Sequence, residues 1–379
     1  MDTNTILAVD LGRFNSVLCW YDPVTRAAEY ATVRTMPEDI ERALLRHPVA
    51  LVVFEACCQA GWVHDLCEAS GLPALVASTA GDAWQWKRVK RKTDRDDALK
   101  LARLAAVGEI DPVTIPDRAT RQWKSIIFLR KRLVSERVRT QNHIRAILVC
   151  QGLSSPRGVR AWTEAGLSGL ATLSRPLHEC PVEELWRGDL HIMLERLRSL
   201  EEQIHSTERR LDAIAKKDPR VTLLLSIPGV GPRTAEVIVS HLQDAQRFRS
   251  ADQVSAYAGL VPKQFQSGET DRRGRITRRG PRLLRSAMVE CAWCSLRYNA
   301  WAQETWLRLQ ANGLSKKKAV VALARKLLVR AWAILRTGNE PGLTPTTAQY
   351  RVENGSEECP SDRERQPSGG AHTLQLTLS

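Results

Sequence analysis

Four acidic residues carry the spacing most suited to chemistry. Asp10 closes the apolar run ILAVD and Glu55 closes a second, VALVVFE. Asp94 and Asp97 open the helix-like stretch KTDRDDALKLARLA. Two carboxylates at strand ends, with an aspartate pair on one helix face, could hold divalent metal beside a phosphodiester. Two such ions about 4 Å apart polarise the scissile phosphate and steady the attacking and leaving oxygens. Magnesium (Mg2+), a hard ion, demands oxygen donors of this kind. Residues three apart share a helix face, so Asp94 and Asp97 go together while Asp96 points elsewhere. An acidic first turn complementing the helix dipole is the other use for the pair.

A second candidate is Ser267, followed by Gly268 and by Arg272, Arg273, Arg275, Arg278, Arg279 and Arg282. Positive charge around a pentavalent phosphorus would favour attack by a serine. The same residues also describe a turn beside a nucleic-acid-binding patch, and no histidine sits nearby to serve as a base. The third is IPGVGPRTA at 227–235, which resembles a helix-hairpin-helix turn. There Gly229 and Gly231 would let the backbone approach a phosphate held by amides at the next helix start, with Arg233 beside it. A plain helix connection has the same composition. Lys87, Arg88, Lys90, Arg91 and Lys92 make a further basic run.

The elements that must position these groups follow from hydrophobic patterning. Strands are expected at Ile6–Asp10, 17–21, 28–33, 50–54 and 75–77, with a Gly12–Asn15 turn. Helices are expected at 37–46, 62–70 and 94–108. The continuous apolar run at 50–54 marks a buried central strand. Alternating strands and helices imply an α/β layered sheet with active residues at strand ends. The order of the acids along it matches the layout of RNase H-like nucleases.

From residue 119 the pattern turns helical. A charged helix is expected over 119–151, an irregular proline- and glycine-rich segment over 152–188, and a heptad seam through Leu190, Met193, Leu197, Leu200, Ile204, Leu211 and Ile214. An antiparallel coiled coil, acting as spacer or dimer contact, and a helical bundle within one chain both satisfy it. The segment 263–282 reads as a loop, with helices at 281–298 and 315–337. The stretch past 340 lacks apolar periodicity and is expected to be disordered. Domains are therefore expected at 1–115, 116–218 and 219–340, with 341–379 as a tail.

The chain has 379 residues and a net charge of +14, which points to a polyanionic partner, nucleic acid first. No apolar run reaches the roughly 18 residues of a membrane span, and the N-terminus does not read as a signal peptide. Nine cysteines without a framework suit a reducing cytoplasm. Cys291 and Cys294 lack the second ligand pair a zinc site needs.

The stretches LAVDLG, VVFEACC, KTDRDDALKLARL, IPGVGPRTA, AYAGLVPKQFQSGETDRRGRITRRGPRLLR and KKKAVVALARKLL together resemble the DEDD transposases of insertion sequences, the insertion-sequence one-ten family and its eleven-eleven branch. That resemblance implies a RuvC-like (RNase H-like) domain, a coiled-coil middle and a mostly α-helical C-terminal transposase domain. It puts the metal-binding acids on Asp10, Glu55, Asp94 and Asp97 and the nucleophile on Ser267. It further implies a covalent serine–DNA link, donor and target DNA, and a structured non-coding bridge RNA. The active site would be composite between protomers of a homodimer or homotetramer, in the nucleoid-associated cytoplasm of a bacterium. A metal-dependent nuclease using water, such as a junction resolvase, and a non-catalytic nucleic-acid-binding relative are the alternatives.

Overall fold

The computed structural model describes residues 4–78, 93–154, 157–267 and 270–338; at 159, 265–267 and 270–273 only the backbone is described. The basic run Lys87, Arg88, Lys90, Arg91 and Lys92, together with Gly268 and the expected disordered tail, lies outside the described residues. The chain divides into two compact units, residues 1–123 and 124–379.

The first unit is built on a five-stranded mixed sheet of β1 (Ile6–Asp10), β2 (Asn15–Tyr21), β3 (Ala28–Arg34), β4 (Leu51–Glu55) and β5 (Ala74–Ala77), in the order β3-β2-β1-β4-β5. β1 pairs antiparallel with β2 and parallel with β4, and β5 continues the parallel side. This arrangement is consistent with an RNase H-like, RuvC-like fold. β1 is central because Ile6, Leu7, Ala8 and Val9 are all apolar, and all are buried.

Alternation sorts the strand residues between two layers. Leu7, Val9, Leu18, Val52 and Phe54 pack against α1 (Pro37–Leu44) and α2 (Ala60–Ala69) through Ile40, Leu44, Val63 and Cys67. Ile6, Ala8, Cys19 and Val53 face α3 (Asp94–Ala106) and meet Ala98, Leu101 and Ala102. Small alanines on α3 let that helix lie close on the sheet. The strand and helix expectations all find an element here, with no bound moved by more than two residues.

The second unit holds a helical hairpin of α4 (Arg118–Cys150, whose first turns lie in the first unit) and α6 (Leu185–Ala215). Ile144 and Leu148 pack with Leu190, Leu194 and Leu197, while Leu133 packs with Leu200 and Ile204. Late α4 thus meets early α6, so the pair runs antiparallel. The 152–188 segment departs from the irregular expectation. It contains α5 (Glu164–Ala171), capped by Thr163, and its Leu170 joins the hairpin core. A helix of two turns between prolines is too short for periodicity to reveal.

The remainder is mostly α-helical: α7 (Pro219–Leu224), α8 (Pro232–Leu242), α9 (Ala251–Tyr257), α10 (Arg282–Tyr298), α11 (Ala300–Ala311) and α12 (Lys316–Thr337). Every residue of α8 from Ala235 to Leu242 is buried, which makes it the centre of this layer, with α7, α10 and α12 packed on it. Two expectations are corrected. The 263–282 loop contains a β-hairpin, β6 (Pro262–Ser267) and β7 (Thr270–Ile276). Its arginines masked the strand signal, because pattern reading expects alternating apolar residues. The stretch between the two expected last helices folds as α11, whose Asn299 cap accepts from the Ala302 amide at 3.1 Å. Among the described residues, no helix is long and apolar enough to cross a membrane.

Candidate active site

β1 and β4 run in parallel with Val9 opposite Phe54. One further step sets Asp10 level with Glu55 at the carboxyl ends of neighbouring strands. Period-2 alternation also gives them a common face: Asp10 follows Ile6 and Ala8, and Glu55 follows Val53, all on the layer covered by α3. Both are half-buried. Asp97 immediately precedes Ala98 on the packed face of α3 and is half-buried, with Oδ1 shielded from solvent, whereas Asp94 is exposed.

The start of α3 is organised by Thr93. Its Oγ1 accepts from the Asp96 amide at 3.3 Å and donates to Asp96 Oδ2 at 2.6 Å. Thr93 is therefore the cap, and Asp96, off the Asp94–Asp97 face, holds its hydroxyl in place. The acidic first turn does complement the helix dipole, but the acid engaged with the cap is the one the spacing sets aside.

The donors suit a hard divalent ion, since all four candidates offer carboxylate oxygens. Like-charged carboxylates also resist close approach without a cation between them. Among the described residues, the close-gathered set of potential ligands is a different one, His64, Asp65 and Glu68 on α2, whose ligand atoms all lie within 4.8 Å of one another. Residue spacing i, i+1, i+4 on a helix was the available signal for it. His64 Nδ1 stands 3.6 Å from Glu68 Oε2, and Asp65 is ion-paired with Arg121. An ion there would have to compete with that guanidinium, and its imidazole donor suits borderline transition metals better than magnesium.

The 227–231 turn is held by its own domain. Ser295 Oγ and Asn299 Nδ2 donate to the Pro228 carbonyl at 3.4 and 3.1 Å, and Cys291 Sγ contacts the Gly229 carbonyl at 3.4 Å. Gly229 has φ +95°, and a Cβ there would run into Ser295 on α10. Gly231 caps α8 in extended backbone with open space around it. Arg233 is paired with Asp212 of α6 and with Glu236 at 3.0 Å. Glu236 is fully buried, and burial raises its carboxyl to about 7, outweighing the nearby Arg233.

In the β6–β7 hairpin Ser267 pairs with Thr270 beside the tip. Arg272 and Arg273 stand opposite Phe265 and Gln264. Arg275, Arg278, Arg279 and Arg282 are exposed, and Arg278 adopts φ +56°. Burial together with the charges of Arg278 and Arg282 pushes the pKa of Arg285 below its ordinary value. That is the electrostatic mark of a dense cationic segment. Ser267 and the four acids fall in different units of the chain.

Two family models match separate stretches of the chain, the first running past the boundary at residue 123 into α4. Residues 9–150 match a family model described as "Transposase", of the DEDD type named for IS110, and residues 221–307 match "Transposase IS116/IS110/IS902 family". The chain is 33% identical to the transposase for insertion sequence element IS1328 of Yersinia enterocolitica, over 65% of this chain and 72% of that one. It is 28% identical to the IS1111A transposase of Coxiella burnetii, over 87% and 89%. A third relative, the pilin gene-inverting protein of Moraxella bovis, is 26% identical over 65% and 67%.

Proposed function

The chain belongs to the IS110/IS1111 family of insertion-sequence transposases, and from that premise we propose that it cuts and rejoins DNA at a metal-dependent acidic centre made by Asp10, Glu55, Asp94 and Asp97. The observation that carries this reading is the placement of Asp10 and Glu55 level with each other on adjacent parallel strands, facing the helix that opens with Asp94 and Asp97. These carboxylates would hold magnesium. When bound, such an ion neutralises charge on the phosphate and lowers the pKa of a coordinated hydroxyl or water. The chain's own contribution is to fix the oxygen donors on a rigid sheet and a capped helix. The exposed Arg275, Arg278, Arg279 and Arg282 then draw in the DNA backbone. In this reading the 227–231 turn serves as a helix-hairpin-helix element through the amides around Gly231.

A second chemistry is favoured by one observation, the position of Ser267 beside the tip of an arginine-rich hairpin. There a seryl oxygen would attack phosphorus, form a serine–DNA ester and release the 3′ or 5′ hydroxyl of the cut strand; reversal with a different strand end completes exchange. The family resemblance adds a bridge RNA as guide and a dimer or tetramer with a site composed across protomers. The net charge of +14 supports a polyanionic partner, and the relative named for gene inversion supports strand exchange.

Labelled DNA run on a denaturing gel separates the chemistries. Loss of all cleavage in the Asp94→Asn, Asp97→Asn double variant supports the acidic centre, and full cleavage there refutes it. A protein–DNA adduct that disappears in Ser267→Ala supports the serine step. Cleavage that survives Ser267→Ala leaves water as the nucleophile. RNA co-purifying with the chain, with loops complementary to the element ends and insertion site, would support guidance.

A further inference from the structure

The β1–β2 turn directly follows Asp10 and carries a feature that acidic chemistry does not use. Phe14 is 74% exposed, the most exposed aromatic side chain among the described residues. The guanidinium carbon of Arg13 lies 5.3 Å from its ring centroid. Single exposed apolar residues are ordinary; what sets this ring apart is its place beside the acidic strand ends with a guanidinium over its face.

The turn does not display this ring through looseness. The Thr35 amide donates to the Phe14 carbonyl at 2.8 Å, and Thr35 Oγ1 donates to the Gly12 carbonyl at 2.9 Å. Thr35 Oγ1 in turn shares a 2.7 Å hydrogen bond with the buried Ser16 hydroxyl. Gly12 permits the geometry, since a Cβ at that position would collide with the Asn15 carbonyl. Phe14 is thus fixed on the end of the sheet from which Asp10 and Glu55 emerge.

We propose that Phe14, with Arg13 on its ring, stacks against an unpaired base of the nucleic-acid strand held at the acidic centre. This inference rests on the reading that those acids act on a phosphodiester. Every base offers a π-face, so a ring of this kind binds without reading sequence. Arg13 lends a cation to the stack and can reach the adjoining phosphate. A ring enters a paired duplex only by unstacking a base step, at a cost of about a few kcal/mol. The favoured ligand is therefore a single-stranded or locally opened segment, which strand exchange generates. DNA and RNA share that chemistry.

The test uses the full-length protein and short DNA and RNA strands in which 2-aminopurine is walked one position at a time. Stacking on Phe14 quenches its fluorescence at one position. Phe14→Trp retains the quenching; Phe14→Ala and Phe14→Leu lose it, and their single-strand affinity falls about tenfold while duplex affinity holds. Because Phe14 is exposed, thermal melting of these variants is unchanged, which separates stacking from misfolding. Quenching confined to the DNA or the RNA series identifies the strand. Wild-type quenching in Phe14→Ala, or equal behaviour of Phe14→Leu and wild type, overturns the proposal. Asp10→Asn is assayed for cleavage in parallel. If it is inactive while Phe14→Ala quenches normally, only the stacking inference fails. If it cleaves like wild type, the acidic reading fails and the placement of Phe14 beside a working centre falls with it.

Discussion

Asp10 and Glu55 occupy the same level of two parallel strands, one step beyond the Val9–Phe54 pair, and share the face covered by α3. Each follows three buried strand residues, so the backbone that carries it is fixed by the sheet core. Asp10→Asn and Glu55→Gln are nearly isosteric and should leave folding intact. Each is expected to reduce DNA cleavage by about a hundredfold or more, the several kcal/mol that Lewis-acid stabilisation supplies. DNA affinity, measured separately by fluorescence anisotropy, should hold. Cleavage within a few-fold of wild type in both variants would remove them from the centre.

Glu236 predicts a pH dependence of stability. Burial holds its carboxyl at about 7, while Arg233 pulls it down, Asp212 pushes it up, and Arg130 and Glu208 act more weakly. The folded chain therefore holds this proton more tightly than the unfolded chain. Its stabilising contribution is complete below the ordinary carboxylate pKa of 4.5 and is lost as pH rises through 7. Glu236→Gln mimics the protonated form. It should match wild type near the acid end and exceed it at pH 8 by on the order of 2 kcal/mol. Urea melts of the two proteins at both pH values check this.

The turn glycines should separate. Gly229→Ala places a methyl against Ser295 at a backbone angle of φ +95°, and is expected to cost about 2–4 kcal/mol. Gly231→Ala meets open space and ordinary backbone, so thermal melting should barely change. If the turn contacts phosphate through this open side, Gly231→Ala weakens duplex binding while the fold stands. Unchanged affinity would confine the turn to a packing role.

The arginine segment predicts salt sensitivity. Replacing Arg275, Arg278, Arg279 and Arg282 together by Gln should flatten the dependence of log affinity on log salt by about 0.9 per lost phosphate contact. The measurement is a titration series across salt concentrations. An unchanged slope would show that these exposed cations face solvent only.

The sheet was legible from sequence because its strands are short apolar runs ended by charge, a pattern that marks both burial and direction. The acids were legible for the same reason: Asp10 and Glu55 interrupt such runs. α6 announced itself through the heptad seam around Leu197 and Leu200, and α4 as a long charged stretch. What stayed hidden had weak local patterning. β7 carries Arg272, Arg273 and Arg275 where a strand is expected to alternate valine or isoleucine. α5 is short, with its Leu170 packed on residues distant in sequence, and α11 follows α10 after the single residue Asn299, with no glycine or proline to mark the boundary. The His64–Asp65–Glu68 group was hidden because charged residues at i, i+1, i+4 are common on any half-exposed helix. The pairing of Arg233 with Asp212 spans two helices, and nothing in IPGVGPRTA anticipates it.

β1 is hemmed in on both edges, antiparallel to β2 and parallel to β4. Loss of a single codon inside it would turn Asp10 to the layer of α1 and α2, since one residue of slip inverts every side chain. Apolar neighbours on both faces would still let the strand knit into the sheet. An element carrying that change would keep the buried strand in its sheet yet lose Asp10 from the layer of α3.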